Sequence, residues 1–188
     1  MVDAVLWEKD FPQFLEDLNS LWGNGLMDLT EEGPALLEWG PALWRMLHYL
    51  AVRTGMPKPV QWPRLNRADE EKRIWNNLLT SLRTCLPCPR CKAHYNEYLR
   101  LHKLDIGLME LWLWTFHNHV RTTNEQPLDL SLEEARVLYR SMSRPDYDRA
   151  RDVFLEHLRR GMFKRMYTRD DMTKCVRAFQ ELVVELES

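Results

Sequence analysis

The sequence predicts an all-α protein, a four-helix bundle with further helices at both ends, and three observations carry that expectation. Apolar residues recur at spacings of three and four along most of the 188 residues, the period of a helix face rather than of a strand. The breaks between these runs are helix punctuation: Gly-Pro pairs, a proline-rich loop and capping patterns. The connections are short, which makes successive helices antiparallel neighbours, and bundles of that kind place cofactor sites between facing helices.

Taken in order, Met1 to Glu38 reads as short helices and turns, with Phe11, Phe14, Leu15, Leu18, Leu21 and Trp22 at helical spacing and breaks at Pro12, Gly23, Gly25 and Gly33-Pro34. Its role is packing or partner contact. From Trp39 to Val52, Gly40-Pro41 reads as a helix entry, followed by Leu43, Trp44, Leu47, His48, Leu50 and Ala51 on a helical period. Taken alone, His48 there is an ordinary core histidine. Thr54 to Asn66, with Pro57, Pro59 and Pro63, is a loop. Ala68 to Arg83 gives a second helix through Ile74, Trp75, Leu78, Leu79 and Leu82, with Asp69, Glu70 and Glu71 in the first turn where the helix dipole favours them. A third runs from the cysteine cluster through Tyr95, Tyr98 and Leu99 to about Leu101, and a fourth spans Ile106 to Arg121.

The remainder reads as a separate helical extension. Ser131 and Glu134 form a capping-box pattern, Pro145 starts another helix, and Asp170 or Asp171 opens a last one carrying Cys175, Val176, Phe179, Leu182 and Val183. Arg159, Arg160, Lys164 and Arg165 read as a solvated face. Three segments are therefore expected: an N-terminal helical extension over 1–38, a central domain over 39–127 and a C-terminal helical extension over 128–188.

Composition narrows the function. With 45% hydrophobic and 29% charged side chains, the chain has enough apolar surface for a core. No run of about 18 apolar residues exists to span a membrane, and Met1 to Asp10 lacks the basic-then-apolar pattern of a secretory signal. A net charge of -2 argues against general nucleic-acid binding.

The four cysteines point to chemistry. Cys85, Cys88 and Cys91 lie within seven residues, with Cys175 far along the chain. Such clustering signals metal or redox chemistry more often than structural bridging. Pro87 favours an extended approach and Pro89 a first helical position, so Cys88 sits at a helix N-terminus with Cys91 one turn further on. Unpaired N–H groups and the positive dipole end there stabilise a thiolate, the reactive form of cysteine. Cys88-x-x-Cys91 is thus a candidate dithiol–disulfide exchange site. Cys85 and Cys175 read as buried free thiols, with Cys85 an alternative exchange partner. A rival reading uses Cys85, Cys88, Cys91 and His94 as ligands of zinc or an iron–sulfur cluster in a structural module.

Three motifs in order carry a resemblance. Trp39-Gly40-Pro41-Ala42-Leu43-Trp44-Arg45-Met46-Leu47-His48, then Pro87-Cys88-Pro89-Arg90-Cys91-Lys92-Ala93-His94-Tyr95, then Trp112 with His117-Asn118-His119-Val120 and Pro127 together resemble the Erv/ALR family of FAD-linked sulfhydryl oxidases. The family's last motif continues differently: Arg121 stands where an asparagine is usual, Asn124-Glu125-Gln126 replaces Leu-Gly-Lys, and Leu86 replaces the aromatic before Pro-Cys.

The resemblance implies a four-helix bundle with a short fifth helix that holds FAD between its helices, and no metal. It implies Cys88 and Cys91 as the catalytic pair, with Cys88 the more exposed partner that meets substrate and Cys91 facing the flavin. Gly40, Trp44 and His48 from the first helix, His94 beside the cysteines, and Trp112, His117, Asn118 and Val120 from the fourth would surround the cofactor, with Arg121 as a substitute cation. The implied activity is disulfide formation in protein dithiols, with electrons passing through FAD to dioxygen to give hydrogen peroxide. No Cys-x-x-Cys lies outside the Cys85–Cys91 cluster, so substrate meets Cys88 directly or a separate protein acts as shuttle. A homodimer is expected, and the likeness is to the branch found in large DNA viruses. The corresponding location is host cytoplasm or virion, or otherwise the mitochondrial intermembrane space. A non-enzymatic interaction module on the same fold is the remaining alternative.

Overall fold

The helical spacing becomes seven α-helices and one 3-10 turn, with no strand among the described residues. A computed structural model describes residues 36–57, 67–128 and 130–187. The short helices and turns expected over Met1 to Glu38 lie outside that set apart from the last three positions, as does most of the proline-rich loop.

Helix α1 spans Leu36–Ala51, α2 Arg67–Cys85, α3 Pro89–Leu101, α4 Met109–Thr123, α5 Leu132–Ser141, α6 Arg144–Phe163 and α7 Arg169–Glu187. The turn Ile106–Leu108 precedes α4, with the Asp105 side chain accepting the Gly107 N–H at 3.0 Å. The expected capping box at Ser131 closes, and a second one appears at Ser143. The Ser131 hydroxyl accepts the Glu134 N–H at the start of α5, and Ser143 does the same for Asp146 at the start of α6.

The expected entry at Gly40-Pro41 is displaced. α1 already runs from Leu36, and Pro41 lies inside it. A proline there deprives the Leu37 carbonyl of its helical donor. Leu37 is 84% exposed and Pro41 faces solvent, so water can serve that carbonyl and the helix continues.

α1 is buried on almost every side, from Trp39, Leu43, Met46 and Leu47 to Tyr49 and Leu50, because α4, α5 and α6 all pack against it. α2 pairs with α7 and also meets α3. The residues beyond 128 therefore do not stand apart from the bundle. Phe154 and Leu158 of α6 and Met172 and Leu182 of α7 are as deeply buried as Trp75, Leu78 and Leu82 of α2. Phe154 bridges the two pairs, its ring 6.4 Å from Trp39 and 6.0 Å from Phe179. The Tyr49 hydroxyl donates to Glu187 Oε1 at 2.6 Å, joining α1 to the end of α7.

Gly161 matters in the turn between α6 and α7. The Tyr167 side chain lies directly over its Cα, with Cζ only 2.9 Å from where a Cβ would stand, and donates its hydroxyl to the Leu158 carbonyl at 2.6 Å. No helix among the described residues is long and apolar enough to cross a membrane.

Candidate redox site

Pro89 is the first residue of α3 and Cys88 its N-cap, in extended backbone, as the proline spacing leads one to expect. The cap is unusual in its atom. Cys88 Sγ accepts the Cys91 N–H at 3.1 Å, the place that an oxygen of Ser, Thr or Asp ordinarily takes. Cys91 stands one turn further on, Cα–Cα 5.2 Å away, and the two are joined as a disulfide. Helix N–H groups directed at this sulfur favour its thiolate whenever the bond opens. Both cysteines are half-buried, so exposure does not rank one above the other.

The pair borders an open cleft of about 800 Å³ between α1, α2, α3 and α4. Leu43, Leu47, Leu82, Leu86, Tyr95 and Phe116 give it apolar walls, and Gly40, Trp44, His94 and Val120 complete it beside the disulfide. A second cleft of about 790 Å³ adjoins it through Leu36, Gly40, Trp44, Val120 and Asn124, and adds Arg45, His117, Arg121 and Tyr139. A Cβ on Gly40 would meet Leu36 Cδ1 at an ordinary 3.6 Å. No clash demands glycine there. What a side chain would take is the space between the two clefts.

Behind this junction lies a column of rings. Trp44 stacks on His117 with centroids 4.2 Å apart, His48 stacks on Tyr139 at 4.5 Å, and His48 Nε2 hydrogen-bonds with His117 Nδ1 at 3.2 Å. Burial, and then the neighbouring His117, lower the pKa of His48 to about 3, so the ring is neutral at physiological pH. Arg121 Nε donates to the Pro127 carbonyl at 2.7 Å and so holds the turn after α4.

The residues singled out by sequence thus fall in different places. Cys88, Cys91, Gly40, Trp44, His94 and Val120 line one cleft, while His117 and Arg121 line its neighbour. His48 stands one layer behind. Trp112 and Asn118 are buried in α4 and line neither cleft, Trp112 packing edge-on against Tyr98 at 5.7 Å. Leu82, Phe116 and Tyr139 are cleft residues that the motifs did not mark, and Arg45 lies within a motif but was given no role. Leu82 and Phe116 are visible in sequence as helical-period apolar positions and nothing more.

The four ligands of the zinc or iron–sulfur alternative are not brought together. Cys88 and Cys91 are joined to each other, Cys85 is fully buried in hydrogen-bond contact with Cys175, and no group of three or more His, Cys, Asp or Glu side chains converges for a metal among the described residues. The geometry corrects that reading in favour of dithiol chemistry.

Comparison with known proteins agrees. The chain is 28% identical over 107 residues to a protein named FAD-linked sulfhydryl oxidase of African swine fever virus (isolate Warthog/Namibia/Wart80/1980), covering 55% of this chain and 82% of that one. It is 28% identical over 94 residues to the putative FAD-linked sulfhydryl oxidase 096R of Invertebrate iridescent virus 3, covering 47% of this chain and 57% of the relative. No solved structure matches. The sequence pattern of the Erv1 / Alr family covers residues 41–139, more than half of the chain, and with the paired cysteines at the head of α3 this establishes that the chain belongs to the Erv1 / Alr family.

Proposed function

We propose that the protein is an FAD-dependent sulfhydryl oxidase that introduces disulfides into protein dithiols through Cys88 and Cys91. The observation that carries this reading is the disulfide at the α3 N-terminus forming part of the wall of an apolar cleft that also contains Gly40, Trp44, His94 and Val120.

The residues present fit a flavin nucleotide. The cleft beside the disulfide is concave and lined mostly by apolar side chains, the usual character of a small-molecule site. Its apolar walls suit a flat ring system, the glycine at position 40 keeps the two clefts continuous, and Arg45 and Arg121 supply positive charge in the second. Gly40, Trp44, Cys91, His94, His117, Val120 and Arg121 would hold it, with His48 behind them against His117. Trp112 and Asn118 would support the α4 face from behind. The chemistry a bound FAD supplies there is to accept an electron pair and deliver it to dioxygen, giving hydrogen peroxide.

The chain's own part is thiol–disulfide exchange. A substrate thiolate attacks Cys88 Sγ, the Cys88–Cys91 bond breaks, and Cys91 leaves as a thiolate. A second substrate thiolate attacks the substrate sulfur of the mixed disulfide and releases Cys88. The substrate has lost two electrons and two thiol protons, and Cys88 and Cys91 are left as a dithiol. The helix N-terminus stabilises Cys88 as leaving group in that second exchange. Leu43, Leu82 and Phe116 give the cleft beside the pair an apolar wall.

Three further parts of the proposal rest on the resemblance and on the viral relatives. Residues 39–127 form the redox module, backed by 128–188 and preceded by 1–38. The enzyme acts as a homodimer, with substrate thiols or a separate shuttle protein as electron donors. It serves viral proteins in host cytoplasm or virion. Sedimentation of the purified protein tests the dimer.

Oxygen consumption with dithiothreitol as donor tests the activity. Wild-type protein should be yellow and consume oxygen, and Cys91→Ser should lose turnover by at least about 100-fold while retaining the visible flavin band, because the thiol and the cleft walls are different groups. A colourless wild-type protein that leaves oxygen untouched after addition of FAD would refute the reading.

A further inference from the structure

We propose that Cys85 and Cys175 form a second dithiol–disulfide pair, whose closure ties the last helix to the segment that leads into Cys88. The proposal does not need the oxidase reading, since neither residue lines the clefts and Cys175 lies outside the stretch that matches the family.

The geometry begins with α2 and α7, which pack along each other. Cys85 is the last residue of α2 and Cys175 sits in the second turn of α7, 90 positions away in sequence. Both are 0% exposed, both are free thiols, and their side chains are hydrogen-bonded to one another. Two thiols facing each other in an apolar interior share at most one weak hydrogen bond between them. A disulfide removes both polar hydrogens.

The surrounding polar groups are engaged elsewhere. The Tyr95 hydroxyl donates to the Leu79 carbonyl at 2.7 Å and the Tyr167 hydroxyl to the Leu158 carbonyl at 2.6 Å. Lys92 reaches from α3 to the turn before α7, donating to the Met166 carbonyl at 2.9 Å with its ammonium 5.1 Å from the Tyr167 ring centroid. Burial pushes the Cys85 thiol well above the ordinary cysteine range, and the Lys92 charge offsets part of that. The buried dithiol therefore exchanges slowly and reacts when the α2–α7 seam opens.

The oxidant is another disulfide, either a small molecule or a Cys88–Cys91 bond. Cys85 thiolate attacks one of its sulfurs, its S–S bond breaks, and one thiol departs from a mixed disulfide. Cys175 thiolate then attacks Cys85 Sγ and expels the second thiol. Two electrons pass to the oxidant, and the two departing sulfurs take up the two protons.

A full-length Cys88→Ser, Cys91→Ser variant contains only these two cysteines and keeps the test separate from turnover. After incubation with oxidised glutathione, alkylation in denaturant and tryptic digestion without reduction, the peptides 84–90 and 175–177 should be recovered joined. The oxidised variant should melt roughly 5–15 °C above its dithiothreitol-reduced form, as expected for a cross-link across a long loop in a chain of this size. Wild-type protein treated in the same way should retain no alkylatable thiol. Two alkylatable thiols in the wild type, glutathione adducts without the cross-link, or an oxidised form that melts no higher than the reduced one would each overturn the proposal.

Discussion

His48 makes the stability of this protein depend on acid. Its pKa is about 3 in the fold and 6.5 when unfolded, chiefly because burial disfavours the cation and His117 adds to that. Between those values the unfolded chain binds a proton that the folded chain refuses. Stability from this group is therefore complete above about pH 6.5 and falls by up to about 1.4 kcal/mol per pH unit as the medium acidifies toward 3. Denaturant unfolding from pH 7 to pH 4 should show that slope, and His48→Gln should flatten it by close to one proton. An unchanged slope in the variant would show that other groups govern acid sensitivity. The same residue shows why the site was only partly legible from sequence. Cys88, Cys91, Gly40, Trp44 and His94 fall within short motifs, so local spacing exposes them. Tyr139, which stacks on His48, lies 91 positions away on α5 and carries no motif. Its role arises only from the packing of α5 on α1.

Helix boundaries follow the same logic. Capping chemistry is local, so Ser131 could be read directly as a helix start, and Pro145 marked the start that Ser143 caps. Pro41 could not, because whether a proline interrupts a helix depends on what serves the freed carbonyl. Here that is solvent at Leu37. The turn between α6 and α7 depends on a close approach instead. Gly161→Ala would drive a methyl group into the Tyr167 ring and loosen its hydrogen bond to Leu158. The expected loss is about 1–3 kcal/mol, read as a lower denaturant midpoint with unchanged m-value. A neutral substitution would show that Tyr167 can move aside without cost.

At the scale of the molecule, a separate C-terminal extension was the natural reading of sequence because the motifs end near Pro127. Periodicity reports that a helix has an apolar face but not which partner covers it. The partners prove to be α1 and α2, through Phe154, Leu158, Phe179 and Leu182. A chain ending at residue 128 would leave Trp39, Leu50, Trp75 and Leu78 with water on one side. Such a truncation should aggregate or unfold without a cooperative transition in circular dichroism, and a sharp transition would show instead that the bundle suffices alone. The sulfur cap on α3 has a consequence of another kind. The atom that caps this helix is also the atom that the proposed cycle spends and restores, so in that proposal secondary structure and chemistry share one acceptor. Deuterium uptake at the Cys91 amide should therefore keep time with the cycle, slower when Cys88 carries a negative charge and faster when a substrate sulfur is attached to it. A rate indifferent to both would show that the peptide hydrogen is shielded by something other than its sulfur.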